Sequence, residues 1–108
     1  MTLNTPARGM KIGVVLDTSE EALQGRAPTF YELQEMARAA EQAGLDSIWL
    51  CDHLIYRSPG QEEVGFWEVF TMLGALAAVT ARITLGTIVV CTSFRPPRAG
   101  CKDGRYHR

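Results

Sequence analysis

Two adjacent residues, Asp52 and His53, pair a carboxylate with the side chain whose charge changes near neutral pH. At the carboxyl end of a buried strand, such an imidazole can donate a hydrogen bond to a bound ring or take a proton from it. The same two residues also have an ordinary structural use, in which His53 satisfies a nearby carbonyl and Asp52 caps a turn. Asp17 and the run Cys91-Thr92-Ser93 are the other polar stops that follow apolar stretches. Other chemistries find little footing. Cys51, Cys91 and Cys101 show no C-x-x-C spacing, and His53 and His107 lie too far apart to define a zinc motif. The first apolar run ends in Leu16-Asp17-Thr18-Ser19 without G-x-G-x-x-G, which argues against a Rossmann dinucleotide site. No G-x-S-x-G nucleophile motif occurs.

The elements that must position these residues follow from pattern. Residues 10–16 are mostly apolar, with β-branched Ile12, Val14 and Val15, which predicts a strand covered on both faces, as in a parallel sheet. Residues 17–28 are polar and read as a loop. Thr29-Phe30-Tyr31-Glu32 is a capping box that opens a helix carried by Leu33, Met36, Ala37, Ala40 and Ala43. Gly44 closes that helix and Leu45 completes the hydrophobic contact of the cap. Residues 46–51 predict a second strand that delivers Asp52-His53, and residues 57–65 a loop. Residues 66–81 carry one acid and many small residues, which suits a helix wedged against a sheet, with Trp67 and Phe70 in the core. Residues 83–90 predict a third strand. Alternating strands and helices imply parallel βαβ units. Ligands of such folds collect beyond the carboxyl ends of the strands, where Asp17, Asp52-His53 and Cys91-Thr92-Ser93 all fall.

Composition narrows the partners. The chain has 108 residues, 46% hydrophobic and 21% charged, which excludes disordered and low-complexity classes. Eleven basic residues against twelve acidic ones leave a net charge of −1, with no basic stripe for nucleic acid. The longest apolar stretch, residues 66–79, contains Glu68 and is too short for a bilayer. Three cysteines, and residues 1–9 without an apolar core, predict a reduced, cytoplasmic protein with free thiols.

Several segments together resemble a known family. Residues 39–53, Ala-Ala-Glu-Gln-Ala-Gly-Leu-Asp-Ser-Ile-Trp-Leu-Cys-Asp-His, are similar to the first-helix to second-strand signature of luciferase-like flavin-dependent monooxygenases. Residues 76–87 resemble the signature of the next helix and strand, and Cys91-Thr92-Ser93-Phe94-Arg95 is closest to the deazaflavin-dependent branch. The resemblance implies an α/β fold comprising the first three βα units of a (β/α)8 TIM barrel. It implies FMN or 8-hydroxy-5-deazaflavin as cofactor, used for oxygen insertion or hydride transfer on a small organic substrate. His53 matches the histidine beside the cofactor ring, as proton donor, acceptor or hydrogen-bond partner, and Asp52 matches an orienting acid before it. Ile88-Val89 matches the position of a non-prolyl cis peptide behind the ring. Cys91 matches a small polar residue near the cofactor's polar tail, with a thiol as a poorer donor. Tyr56 matches an aromatic that walls the pocket.

The resemblance runs from residue 10 to about residue 97, with residues 10–95 as the barrel segment and residues 1–9 as a flexible lead. Residues 96–108 are glycine-rich, cationic and unlike the family's third helix. Their codons, read one base out of frame, permit Pro-Pro-Ala-Leu-Ala-Ala-Lys-Met-Ala-Ala-Thr-Ile, so a frameshifted tail on a truncated barrel is expected, the alternative being a genuine short protein with a disordered basic tail. Three strands cannot close a barrel, which predicts an association-prone chain that is inactive alone. The other readings are a non-catalytic module docking through open sheet edges, a homo-oligomer among its outcomes, and a small flavodoxin-type domain.

Overall fold

The computed structural model describes residues 9–96. The expected lead and tail therefore lie outside the described residues, apart from Gly9 and Pro96. In chain order the elements are β1 (Gly13–Val15), α1 (Phe30–Gln42), β2 (Ser47–Leu50), β3 (Ile55–Tyr56), β4 (Val64–Gly65), α2 (Val69–Val79) and β5 (Thr84–Thr87), followed by a 3₁₀ turn at Thr92–Phe94.

Local chemistry sets the ends of α1. The Thr29 hydroxyl accepts the Glu32 N–H at 3.2 Å, and the Glu32 carboxylate accepts the Thr29 N–H at 2.8 Å. Arg26 pairs with that carboxylate at 2.7 Å. Its hydrogen bonds, with the Thr29 N–H, lower the Glu32 carboxyl from 4.5 to about 2. At the other end Gly44 takes φ +83°, the left-handed conformation that costs glycine little. The Leu45 N–H then reaches the Ala40 carbonyl and the Gly44 N–H that of Glu41, both at 3.1 Å, closing a Schellman cap.

β1, β2 and β5 form a parallel sheet in the order β1-β2-β5, with Val14 opposite Ile48 and Ile48 opposite Leu85. On one face Leu16, Ile48 and Leu50 pack with Leu33 and Ala37 of α1 and with Val69, Leu73 and Leu76 of α2. The other face is open: Val15 is 52% exposed and Trp49 37%. The expectation of strands covered on both faces thus holds for one face only, because both helices contribute to the same core. Across the open face Trp49 lies between Gly13 and Gly86. A Cβ at Gly13 would stand 2.8 Å from the indole nitrogen, and one at Gly86 2.6 Å from the ring's far edge.

The α2–β5 turn is latched to α1 from both sides. The Glu41 carboxylate accepts the N–H groups of Ala81, Arg82 and Ile83 at 2.6–3.1 Å. Arg82 donates back to the carbonyls of Glu41 and Leu45. The N–H groups of Ile83, Arg82 and Ala81 hold the Glu41 carboxyl below its usual value.

Three sequence expectations need correction. Residues 57–65 are not all loop, since β3 and β4 pair antiparallel with Tyr56 opposite Val64. Each strand is two residues long, too short to show a period of two. The second helix begins at Val69 rather than residue 66, because the Glu68 carboxylate caps it by accepting the N–H groups of Phe70 and Thr71. Trp67 therefore precedes the helix and is 45% exposed instead of core, while Phe70 packs against the core. The last strand stops at Thr87: Ile88 still donates to the Leu50 carbonyl at 2.8 Å, and the chain then turns through a cis Ile88–Val89 peptide, as the resemblance implied. The sheet seen here is open and three-stranded.

Candidate functional site

The carboxyl ends of β1 and β2 open into a cavity of about 420 Å³, within the range of small-molecule sites. Its floor comes from the strand ends, with Val15 closing β1, Leu16 just after it and Cys51 just after β2. Thr18 and Ser19, both buried, add hydroxyls. Its wall is aromatic. The His53 ring stands 5.3 Å from Phe66 in a tilted arrangement and 6.3 Å from Tyr56 edge-on.

That wall exists because the β1–α1 loop and the hairpin are tied together. The Asp17 carboxylate accepts the Ser19 N–H at 2.9 Å and turns the chain. Glu20 then exchanges two bonds with Gly65, its N–H donating to the Gly65 carbonyl and its carboxylate accepting the Gly65 N–H, both at 2.9 Å. Ser19 bridges Phe66 antiparallel, and the Trp67 N–H reaches the Thr18 carbonyl. The Trp67 indole donates to the Pro28 carbonyl at 2.8 Å.

Asp52 faces elsewhere. Its side chain is fully buried and engages Arg95, at 2.7 Å to one oxygen and 3.1 Å to the other, in the bidentate geometry arginine favours. The Cys91 N–H donates to the same carboxylate at 2.7 Å. Arg95 also reaches Glu68 at 2.7 Å and lies 4.4 Å above the Phe70 ring. Burial pushes the Asp52 carboxyl up, but the Arg95 hydrogen bonds and the Cys91 N–H outweigh it and hold the group low. Burial likewise raises Glu68, yet the bonds from Thr71, Arg95 and Phe70 lower it from 4.5 to about 2. Arg95 is held above its ordinary value by Asp52 first, against its own burial.

Of the residues singled out from sequence, the structure brings Asp17, His53 and Tyr56 into the cavity, with Cys51. Asp52 and Cys91 meet each other beside it, through the Cys91 backbone. Ile88 and Val89 are 48% and 74% exposed and do not line the cavity. Cys51 and Cys91 are free thiols. Among the described residues no cluster of histidine, cysteine and acid could hold a metal. Sequence reasoning missed Phe66, Glu68 and the pairing of Arg95. Asp52 and Arg95 both lie beyond the carboxyl ends of their strands, β2 and β5, so the adjacency of those strands is the signal that would have paired them.

A family model described as luciferase-like monooxygenase matches residues 10–101. The chain is 39% identical over 66 residues to an F420-dependent glucose-6-phosphate dehydrogenase of Amycolatopsis mediterranei, a stretch covering 59% of this chain and 19% of that protein. It is 38% identical over 65 residues to the proteins of the same name from Nakamurella multipartita and Microbacterium testaceum, covering 59% of this chain and 18% of each. The matched stretch thus spans about a fifth of these relatives' length.

Proposed function

Because the chain belongs to the luciferase-like monooxygenase family, we propose that it supplies the first strand–helix units of a deazaflavin-dependent oxidoreductase. Residues 10–95 are in this reading the opening part of a (β/α)8 barrel. The observation that carries the proposal is a cavity at the carboxyl ends of β1 and β2, with an aromatic wall and an exposed imidazole at its rim. The choice of deazaflavin over FMN is supported by relatives that are F420-dependent by name.

The residues present fit a flat, partly polar ring. Val15, Tyr56 and Phe66 offer apolar surface, and Thr18 and Ser19 bring hydroxyls to one side. A bound deazaflavin supplies hydride transfer. The chain supplies placement and a group that accepts or returns the proton. Among the described residues no hydrogen bond holds the His53 side chain, and its ring stands beside those of Phe66 and Tyr56. It takes the hydroxyl proton of a small alcohol substrate, or returns it to the carbonyl product.

Titrating the full chain with 8-hydroxy-5-deazaflavin, and separately with FMN, tests this through the quenching of cofactor fluorescence. Saturable quenching by deazaflavin is expected, weakened roughly tenfold by His53→Ala, as loss of one hydrogen bond would do. Quenching by FMN alone would move the assignment to the flavin-dependent, oxygen-inserting branch. No quenching by either overturns the proposal in favour of a non-catalytic module.

A further inference from the structure

Arg95 reaches farther across the molecule than its place beyond the last strand suggests. Its side chain is 14% exposed, and its guanidinium meets two carboxylates from different elements, Asp52 after β2 and Glu68 at the start of α2, both at 2.7 Å. The Phe70 ring supports it from below at 4.4 Å. Asp52 in turn accepts the Cys91 N–H at 2.7 Å, and the 3₁₀ turn from Cys91 to Arg95 closes on itself through Phe94 and Arg95 N–H bonds. The segment after β5 is thus fastened at both ends to one buried carboxylate. That carboxylate belongs to the residue immediately before His53.

We propose that Arg95 is a positioning residue for the candidate site, holding Asp52 and the post-β5 segment in one arrangement so that His53 keeps its place on the cavity rim. Arg95 lines no part of the cavity and acts through Asp52. A lysine has one charged point and cannot grip both Asp52 oxygens while reaching Glu68, so the planar fork is the part that matters. A buried carboxylate that loses its guanidinium partner keeps only the Cys91 N–H, too little to compensate a buried charge, so it turns towards water and releases that bond. The inference rests on the deazaflavin reading for its binding arm, and on geometry alone for the rest.

The test uses the full chain as wild type, Arg95→Lys and Arg95→Gln, with two readouts. Amide hydrogen exchange at Cys91 needs no cofactor. It is expected to speed up roughly ten- to hundredfold in Arg95→Gln, as for loss of a hydrogen bond to a charged group, and less in Arg95→Lys. Amides of Leu33 and Leu76 in the core are expected to keep their protection, which separates a local release from unfolding. Deazaflavin affinity is expected to fall in the same order, with partial recovery in Arg95→Lys. Unchanged Cys91 exchange in Arg95→Gln overturns the proposal. So does released exchange with unchanged affinity, because Arg95 is then structural only. Failure of the wild-type chain to bind deazaflavin overturns the functional reading instead, and Cys91 exchange then decides on Arg95 by itself.

Discussion

Glu68 serves two masters at the amino end of α2: it caps two backbone N–H groups and it grips Arg95. Both interactions need the carboxylate ionised, as do the bonds that Asp52 receives from Arg95 and Cys91. A carboxyl lowered in the folded state contributes stability that is complete above its unfolded value and is lost as pH falls through the folded one. Glu68 drops from 4.5 to about 2, and Asp52 is also lowered. These groups therefore leave stability flat from pH 7 to about 5 and erode it from roughly pH 4.5 down towards 2. Thermal unfolding followed across that range checks this, and Glu68→Gln should flatten the acid slope. A slope unchanged by that substitution would assign the acid sensitivity to other groups.

The elements interlock at their ends more than along their lengths. Strands of two to four residues have little ladder to hold them, so the Glu41 latch, the Glu20–Gly65 exchange and the Arg95 clamp fix where each one points. Trp49 is the exception, because it is positioned from the middle of a strand. Its ring occupies the room left by Gly13 and Gly86 on the neighbouring strands, and its indole donates to the Ser47 hydroxyl at 2.9 Å. Gly86→Ala is expected to push the ring off the sheet towards water. In a Trp67→Phe background, which leaves Trp49 as the one tryptophan of two, its emission should shift to the red with a loss of about 1–3 kcal/mol in stability. An unchanged spectrum would mean that the methyl group is accommodated elsewhere. The glycines were visible in the sequence as glycines, but nothing there marked them as neighbours of one indole.

At the scale of the whole molecule, the open sheet face is the dominant physical fact. Val15 and Trp49 stand in solvent on a parallel sheet, an architecture normally covered on both sides. Self-association that grows with concentration is expected in sedimentation, relieved by Trp49→Lys; a monomer at every concentration would count against an uncovered face. No helix among the described residues is long and apolar enough to cross a membrane. Much of this was legible beforehand. The capping box at Thr29 and Glu32, the Gly44 stop, three strands in parallel succession and the family itself could be read because they depend on neighbours in sequence. So could the placing of Asp52 and His53 at a strand's end. What those two residues do there could not be read. Asp52 turned away from its neighbour to a guanidinium 43 residues on, and His53 gained its wall from a hairpin too short to have a pattern. Local propensity and periodicity are properties of the sequence alone, whereas the partner of a buried charge and the lining of a cavity depend on which strand ends come to lie side by side, which only the folded chain decides.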